Sequence, residues 1–284
     1  MIAISGNPVT HRLSLAPVTI NDVGPPELIS AAAAAGFQSI DLRLLAAPGA
    51  PPIPPVVGAP AVLAEIASRL ADTGITVFSA TGVFLSPDWR LEAVLPALET
   101  AARFGGEQFL AVGNDPEEGR TIDNLGRLCN AAAGFKLKIA LEFMPYMQVA
   151  NLAQALGVVK AAGRPNLGLV IDALHLARSG GTPSDVARIE PDFIFYLQLC
   201  DAPRAAPAGR ALRLESLTDR LHPGEGELWL FDLMDALPPG IVIDLETPVW
   251  RHRRLSAPAR AGLASAAVRR FLAEWRRRHD AGRT

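Results

Sequence analysis

The chain has 284 residues, 49% of them hydrophobic and 20% charged, with a formal net charge of −2 and a pI near 6.2. This is the composition of a folded globular protein, and the near-neutral charge offers no basic field to a polyphosphate, which argues against a nucleic-acid partner. Two cysteines, Cys129 and Cys200, cannot build a disulfide framework, and the longest uncharged tract, residues 44–64, is broken by six prolines and two glycines and cannot form a membrane span.

Short apolar β-type runs recur at 13–20, 39–43, 76–80, 108–112, 138–143, 168–172, 194–200 and 241–246. Between them, helical spacing is found at 26–35, 61–73, 91–104, 120–133, 152–162, 183–189 and 228–237, with a last helix at 258–278. Gly36, Gly74, Gly105, Gly106, Gly134 and Gly163 follow helical segments, where a left-handed cap is wanted, and Pro183 and Pro258 open first turns. Eight strand–helix units of about 35 residues each predict a (β/α)8 TIM barrel formed by residues 1–284 as one domain. Strands apolar on both faces fit parallel strands covered on both sides. A doubly wound sheet would need a Gly-rich phosphate turn after an early strand, and the first strand is followed instead by Asn21-Asp22-Val23-Gly24-Pro25-Pro26. Residues 46–60 and 202–220 read as long irregular loops on the face where barrel enzymes bind substrate. No basic head and long apolar core open the chain, so no signal peptide is read and a cytoplasmic enzyme is expected.

Polar residues interrupt four consecutive strands at their C-terminal ends: Glu142, Asp172, Gln198 and Glu246, separated by 30, 26 and 48 residues. A strand-end Asp alone is as readily a helix cap. Three carboxylates buried together without a cation would repel or neutralise one another, and a divalent metal removes that cost. Three carboxylates with one amide carbonyl form an all-oxygen set suited to Mn2+ or Mg2+. Arg43 ends the second strand beside Asp41 and is a candidate for binding a substrate carboxylate or hydroxyl, the alternative being a simple Asp41–Arg43 contact. Cys200 reads as packing, and His222 is either close to the site or a solvated turn residue, the second reading being preferred; the arginine runs at 251–254 and 276–278 read as solvated surface.

The stretches Leu141-Glu142-Phe143-Met144-Pro145, Asp172-Ala173-Leu174-His175, Gln198-Leu199-Cys200-Asp201-Ala202-Pro203 and Pro223-Gly224-Glu225-Gly226-Glu227, followed by Glu246, resemble the xylose-isomerase-like TIM-barrel superfamily, in particular its sugar-phosphate isomerase/epimerase branch. The resemblance implies a metal held by Glu142, Asp172, Gln198 and Glu246, with Glu142 and Glu246 as acid and base moving a proton between adjacent carbons. Ketohexose epimerases usually have His at the third position; Gln198 is similar to hydroxypyruvate isomerases and some dehydroshikimate dehydratases. His175 matches a residue that touches a substrate oxygen. The family often places an arginine between the strand-seven ligand and the Pro-Gly turn. Arg204, Arg210, Arg213 and Arg220 compete for that role: Arg204 keeps the offset from the ligand, whereas Arg220 keeps the offset from Pro223 and is preferred.

The function so implied is a metal-dependent isomerase or epimerase of a small ketose, hydroxy-keto acid or related polyol. The alternatives are a dehydratase of a keto-cyclitol or 3-dehydroshikimate-like substrate, and a non-catalytic sugar-binding barrel. An AP endonuclease needs a histidine-rich multi-zinc site that five histidines, with only His175 well placed, do not supply. The partner expected is a small carbohydrate or keto acid, with no nucleic acid and no membrane. Barrels of this kind often pair into homo-oligomers, but no segment identifies an interface.

Overall fold

A computed structural model describes residues 10–46, 55–209 and 211–281. Its elements, in chain order, are β1 (Leu13–Leu15), α1 (Pro25–Ala34), β2 (Ser39–Arg43), α2 (Pro60–Thr73), β3 (Thr76–Leu85), α3 (Leu95–Arg103), β4 (Gln108–Gly113), α4 (Glu118–Gly134) and β5 (Lys138–Glu142). There follow α5 (Leu152–Ala162), β6 (Leu167–Asp172), α6 (Ala173–Arg178), α7 (Pro183–Val186), β7 (Ile194–Leu199), α8 (Ala211–Thr218), α9 (Leu230–Ala236), β8 (Val242–Leu245) and α10 (Ala257–Ala281). Each strand pairs in parallel with the next, and β8 returns to β1, closing an eight-stranded barrel ringed by helices.

The two-residue period of the strands decides what enters the barrel. Along β6, Leu167, Leu169 and Ile171 pack outward against the helices, while Val170 faces the lumen with Phe78, Leu110, Val112, Ala140 and Tyr196. Asp172 continues the phase of Val170, Glu142 that of Ala140, and Gln198 that of Tyr196. The polar strand-end residues are thereby carried to the inside of one rim.

Several elements depart from the sequence reading. β1 ends at Leu15 because Pro17 opens a 3-10 turn, its fixed φ and missing N–H stopping the ladder. β3 runs on to Leu85 through a register shift between Ala80 and Val83. The loop expected over 202–220 contains α8, and α6 starts directly at the end of β6. Gly36, Gly74, Gly105 and Gly163 do take positive φ after their helices. Gly134 does not cap: α4 runs through it, and the left-handed position falls on Lys136, φ 60°. No helix among the described residues is long and apolar enough to cross a membrane.

Candidate metal centre and active site

Glu142, Asp172 and His175 converge at the C-terminal rim, each offering one ligand atom, with these atoms all within 4.8 Å of one another. Asp172 serves two structures at once. Its Oδ1 accepts the His175 backbone N–H at 2.8 Å, which caps α6, and its Oδ2 accepts from Arg220 Nη1 at 2.7 Å. The capped first turn of α6 returns the His175 ring over the rim, where Nε2 lies 3.7 Å from Glu142 Oε1 and Nδ1 has no hydrogen-bond partner among the described residues. Gln198 and Glu246, on the next two strands of the barrel, face the same cavity, and Gln198 Nε2 donates to Glu246 Oε2 at 2.6 Å. The Gln198 carbonyl oxygen has no partner among the described residues and is an acceptor atom available to a cation.

All four of Glu142, Asp172, Gln198 and Glu246 are buried, none more than 7% exposed. Burial raises the Glu142 carboxyl well above the usual range, and Glu246 and Asp172 raise it further. Glu246 is pushed up to about 7 by burial, against the pull of Arg220. At Asp172 burial also raises the carboxyl, but the charge of Arg220, reinforced by His175, outweighs it and holds the group below its ordinary value. His175 is lowered to about 4, chiefly by burial, so its imidazole is neutral at physiological pH and can act as a nitrogen ligand. Buried carboxylates, a neutral imidazole and an unpaired amide oxygen fit a divalent cation. The tight trio includes His175, which the sequence reading gave to substrate, so the donor set is not purely oxygen.

Arg220 enters the site, but not as a free hand for substrate. Its Nη1 and Nη2 bond Asp172 and Glu246 (2.7 and 2.9 Å), and its Nε donates to the Ser216 carbonyl at 2.8 Å. Burial works against its charge, yet the two carboxylates hold its pKa well above the usual value. Arg204 is exposed and does not line the cavity; its backbone N–H donates to Glu227. Arg213 lines it, and Arg210 lies outside the described residues, as do 47–54 of the expected loop over 46–60. Arg43 is half-buried, its charge acts on Asp41 and Glu246, and it does not line the cavity. Cys200 is fully buried and its thiol is pushed up to about 12 by burial, as packing requires.

Two features escaped the sequence reading. Tyr146, in the loop after β5, lines the cavity and shares a 2.7 Å hydrogen bond with Ser216 of α8, tying a roof over the site. Asp201, just beyond β7, accepts from the backbone N–H groups of Ala202, Gly224, Gly226 and Leu228 and so pins the Pro-Gly-Glu-Gly turn. An aromatic in a loop and an Asp after a strand carry no distinguishing spacing, which is why neither stood out.

Residues 29–273 match the Xylose isomerase-like TIM barrel family, and the chain belongs to it. A 3-dehydroshikimate dehydratase of Pseudomonas aeruginosa is 28% identical over 256 residues, covering 83% of this chain and 38% of that protein. An inosose isomerase of Halalkalibacterium halodurans is 32% identical over 118 residues, covering 41% of this chain and 40% of that protein. The chain thus spans well under half the length of these curated relatives. Among solved structures, the IolI protein with a bound zinc atom superposes with a TM-score of 0.76 at 19% identity, over 93% of this chain and 99% of that one, a likeness of fold.

Proposed function

We propose that this chain is a divalent-metal-dependent enzyme that moves a proton at the carbon beside the carbonyl of a small polyhydroxylated ketone or hydroxy-keto acid, as an isomerase or epimerase. The observation that carries the reading is the convergence of Glu142, Asp172 and His175 beside Gln198 and Glu246 in one buried cavity. Glu142, Asp172 and Glu246, with Gln198 Oε1 and the His175 ring in reach, are the residues that would hold the ion. The nitrogen donor widens the choice from Mn2+ or Mg2+ to include Zn2+. When bound, a divalent cation polarises a substrate carbonyl and lowers the barrier to removing the neighbouring proton.

Glu142 is assigned as the base, because among the described residues no side chain donates a hydrogen bond to it and burial strengthens its proton affinity. Glu246, tethered by Gln198 and Arg220 and pushed up to about 7, is the second proton carrier. Arg220 orients Asp172 and Glu246, and His175 is suited to meet substrate oxygens. The apolar wall of Pro17, Val18, Phe84, Leu110 and Met147 excludes water from the proton-transfer path. The substrate is a small carbohydrate or keto acid met in the cytoplasm.

A second reading, dehydration of a keto-cyclitol or 3-dehydroshikimate-like ring, is favoured by the dehydratase relative's alignment over 83% of this chain. Both reactions begin with the same proton abstraction and differ in whether a β-hydroxyl then leaves. Incubation in D2O with Mn2+ and a panel of ketoses, hydroxypyruvate, inososes and 3-dehydroshikimate separates them. Deuterium beside the carbonyl of an isomeric product supports the isomerase; water loss with a conjugated absorbance supports the dehydratase. No exchange with any of these substrates would overturn both readings as stated.

A further inference from the structure

The candidate metal ligands stand on one half of the barrel rim, at the ends of β5 to β8, and the other half presents a different surface. In a closed ring of eight strands, β2 and β3 stand opposite β6 and β7. Of the side chains that β1 to β4 and the segments after them give to the cavity, Pro17, Val18, Phe84 and Leu110 are apolar. Among the described residues, Asp41 and Thr81 are the polar pair on that half, and the proposed reaction uses neither. Asp41 is 1% exposed, and its charge acts on both Glu142 and Glu246, so it stands within electrostatic reach of the two proton carriers.

Thr81 Oγ1 donates to Asp41 Oδ2 at 2.6 Å, and Asp41 Oδ1 has no hydrogen-bond partner among the described residues. That bond fixes what the pair can recognise. The Thr81 hydroxyl has one hydrogen, committed to Asp41, so Oγ1 keeps only acceptor capacity. Asp41 is pushed up to about 6 by burial and drawn back by Thr81 and Arg43, so at pH 8 it is a carboxylate and likewise offers acceptors alone.

The wall opposite the metal ligands is therefore a pair of acceptors in an apolar surround, and its complement is a hydrogen-bond donor. A hydroxyl fits. A carbonyl oxygen brings only lone pairs, and a carboxylate or phosphate adds like-charge repulsion in a site of low dielectric. Burial makes the choice steep: a substrate without the hydroxyl displaces solvent from Oδ1 and leaves that acceptor unsatisfied.

We propose that Asp41 and Thr81 form a hydroxyl-reading subsite, so that the substrate is a ketone with a further hydroxyl beyond the carbonyl and its reacting neighbour, any acidic group being turned away from β2 and β3. This rests on the metal-dependent proton-transfer reading above and narrows its substrate class. Polyhydroxylated ketones suit the wall, whereas hydroxypyruvate, whose far end is a carboxylate, does not.

Calorimetric titration of the Mn2+-loaded protein at pH 8 tests the subsite with two ketones. One is an inosose, hydroxylated at every ring carbon but the carbonyl; the other is 2-hydroxycyclohexanone, which keeps the carbonyl and one neighbouring hydroxyl and lacks the rest. The wild type should bind the inosose at least about tenfold more tightly. Asp41→Asn keeps the shape and can still accept from Thr81, but it turns an amide N–H toward the cavity. It should lose most of that preference while binding 2-hydroxycyclohexanone and Mn2+ as the wild type does. Should Asp41→Asn fail to fold, Thr81→Val, which removes the hydroxyl at nearly equal volume, should reduce the same preference. Equal or undetectable affinity of the wild type for the two ketones, or a preference that survives Asp41→Asn, would overturn the proposal. So would an equal loss of both ketones in that variant, which would show that Asp41 shapes the site without reading a hydroxyl. Binding is measured here, whereas deuterium exchange tests the parent reaction, so either can fail without the other.

Discussion

A fully buried guanidinium is stable only where anions hold it, and Arg220 is held by Asp172 and Glu246 together. Removing it leaves two carboxylates facing each other without their cation. Arg220→Met should therefore cost the chelated protein about 3–5 kcal/mol in urea denaturation. A cost under about 1 kcal/mol would mean that the carboxylates are neutralised some other way. Glu142 is the contrasting case, buried without a side-chain donor among the described residues. Glu142→Gln keeps the volume and one oxygen but removes the proposed base, so turnover should fall at least about a thousandfold with the far-ultraviolet spectrum unchanged. Near-full activity of that variant would remove Glu142 from the proton-transfer step. Of these residues, Glu142, Asp172, Gln198 and Glu246 were legible in sequence because a charged or amide side chain interrupts an apolar strand. The part His175 takes in the metal cluster was not, since it depends on Asp172 capping α6 and turning the ring back over the rim.

The segments that frame the site are held by local devices. Asp201, just beyond β7, gathers the backbone N–H groups of Ala202 beside it and of Gly224, Gly226 and Leu228 in the turn after α8. Asp201→Ala should cost at least about 2 kcal/mol and make the 202–228 segment the first to be cut by protease. At the end of α4, Lys136 holds a left-handed backbone conformation that a β-carbon disfavours, on an exposed side chain with no ion pair among the described residues. Lys136→Gly should accordingly stabilise the protein by about 1 kcal/mol, read as a raised urea midpoint with unchanged slope. No change or a decrease would show that the unfolded-state entropy of glycine cancels the relief. Helix α8 was missed in the sequence because eight residues of mixed polarity carry too short a period to distinguish from a loop, whereas the longer α5 and the caps at Gly74 and Gly163 were visible.

At the scale of the whole molecule, the buried acids link metal, pH and stability. Without metal, burial raises Glu246 to about 7 and Asp41 to about 6, and raises Glu142 and Asp244 as well. These carboxyls bind protons more tightly in the folded state than in the unfolded one. Their contribution to stability is full below their unfolded values and is lost as pH rises through 6 and 7. His175 and His222 work the other way: each lowered from 6.5 to about 4, they contribute above 6.5 and lose that contribution as pH falls toward 4. The four raised carboxyls outnumber these two, so the urea midpoint of chelated protein should fall between about pH 5 and about pH 8, and a saturating divalent cation should abolish most of that fall. A midpoint equally pH-dependent with and without metal would separate the ion from these carboxyls.

The sequence by itself determined the barrel. Eight apolar strands at regular intervals, bounded by glycine and proline, have few ways to bury both faces, and the inward phase of each strand follows from its own alternation. It also determined which strand ends carry acid and amide groups. Only the tertiary structure decided what those groups do to one another. Closing β8 onto β1 brings Asp244 against Ser14, and the fold of 202–220 drives Arg220 between Asp172 and Glu246 rather than out toward solvent. The physical reason is that Coulomb and desolvation energies depend on distance and burial between residues tens to hundreds of positions apart, and a linear pattern contains neither quantity.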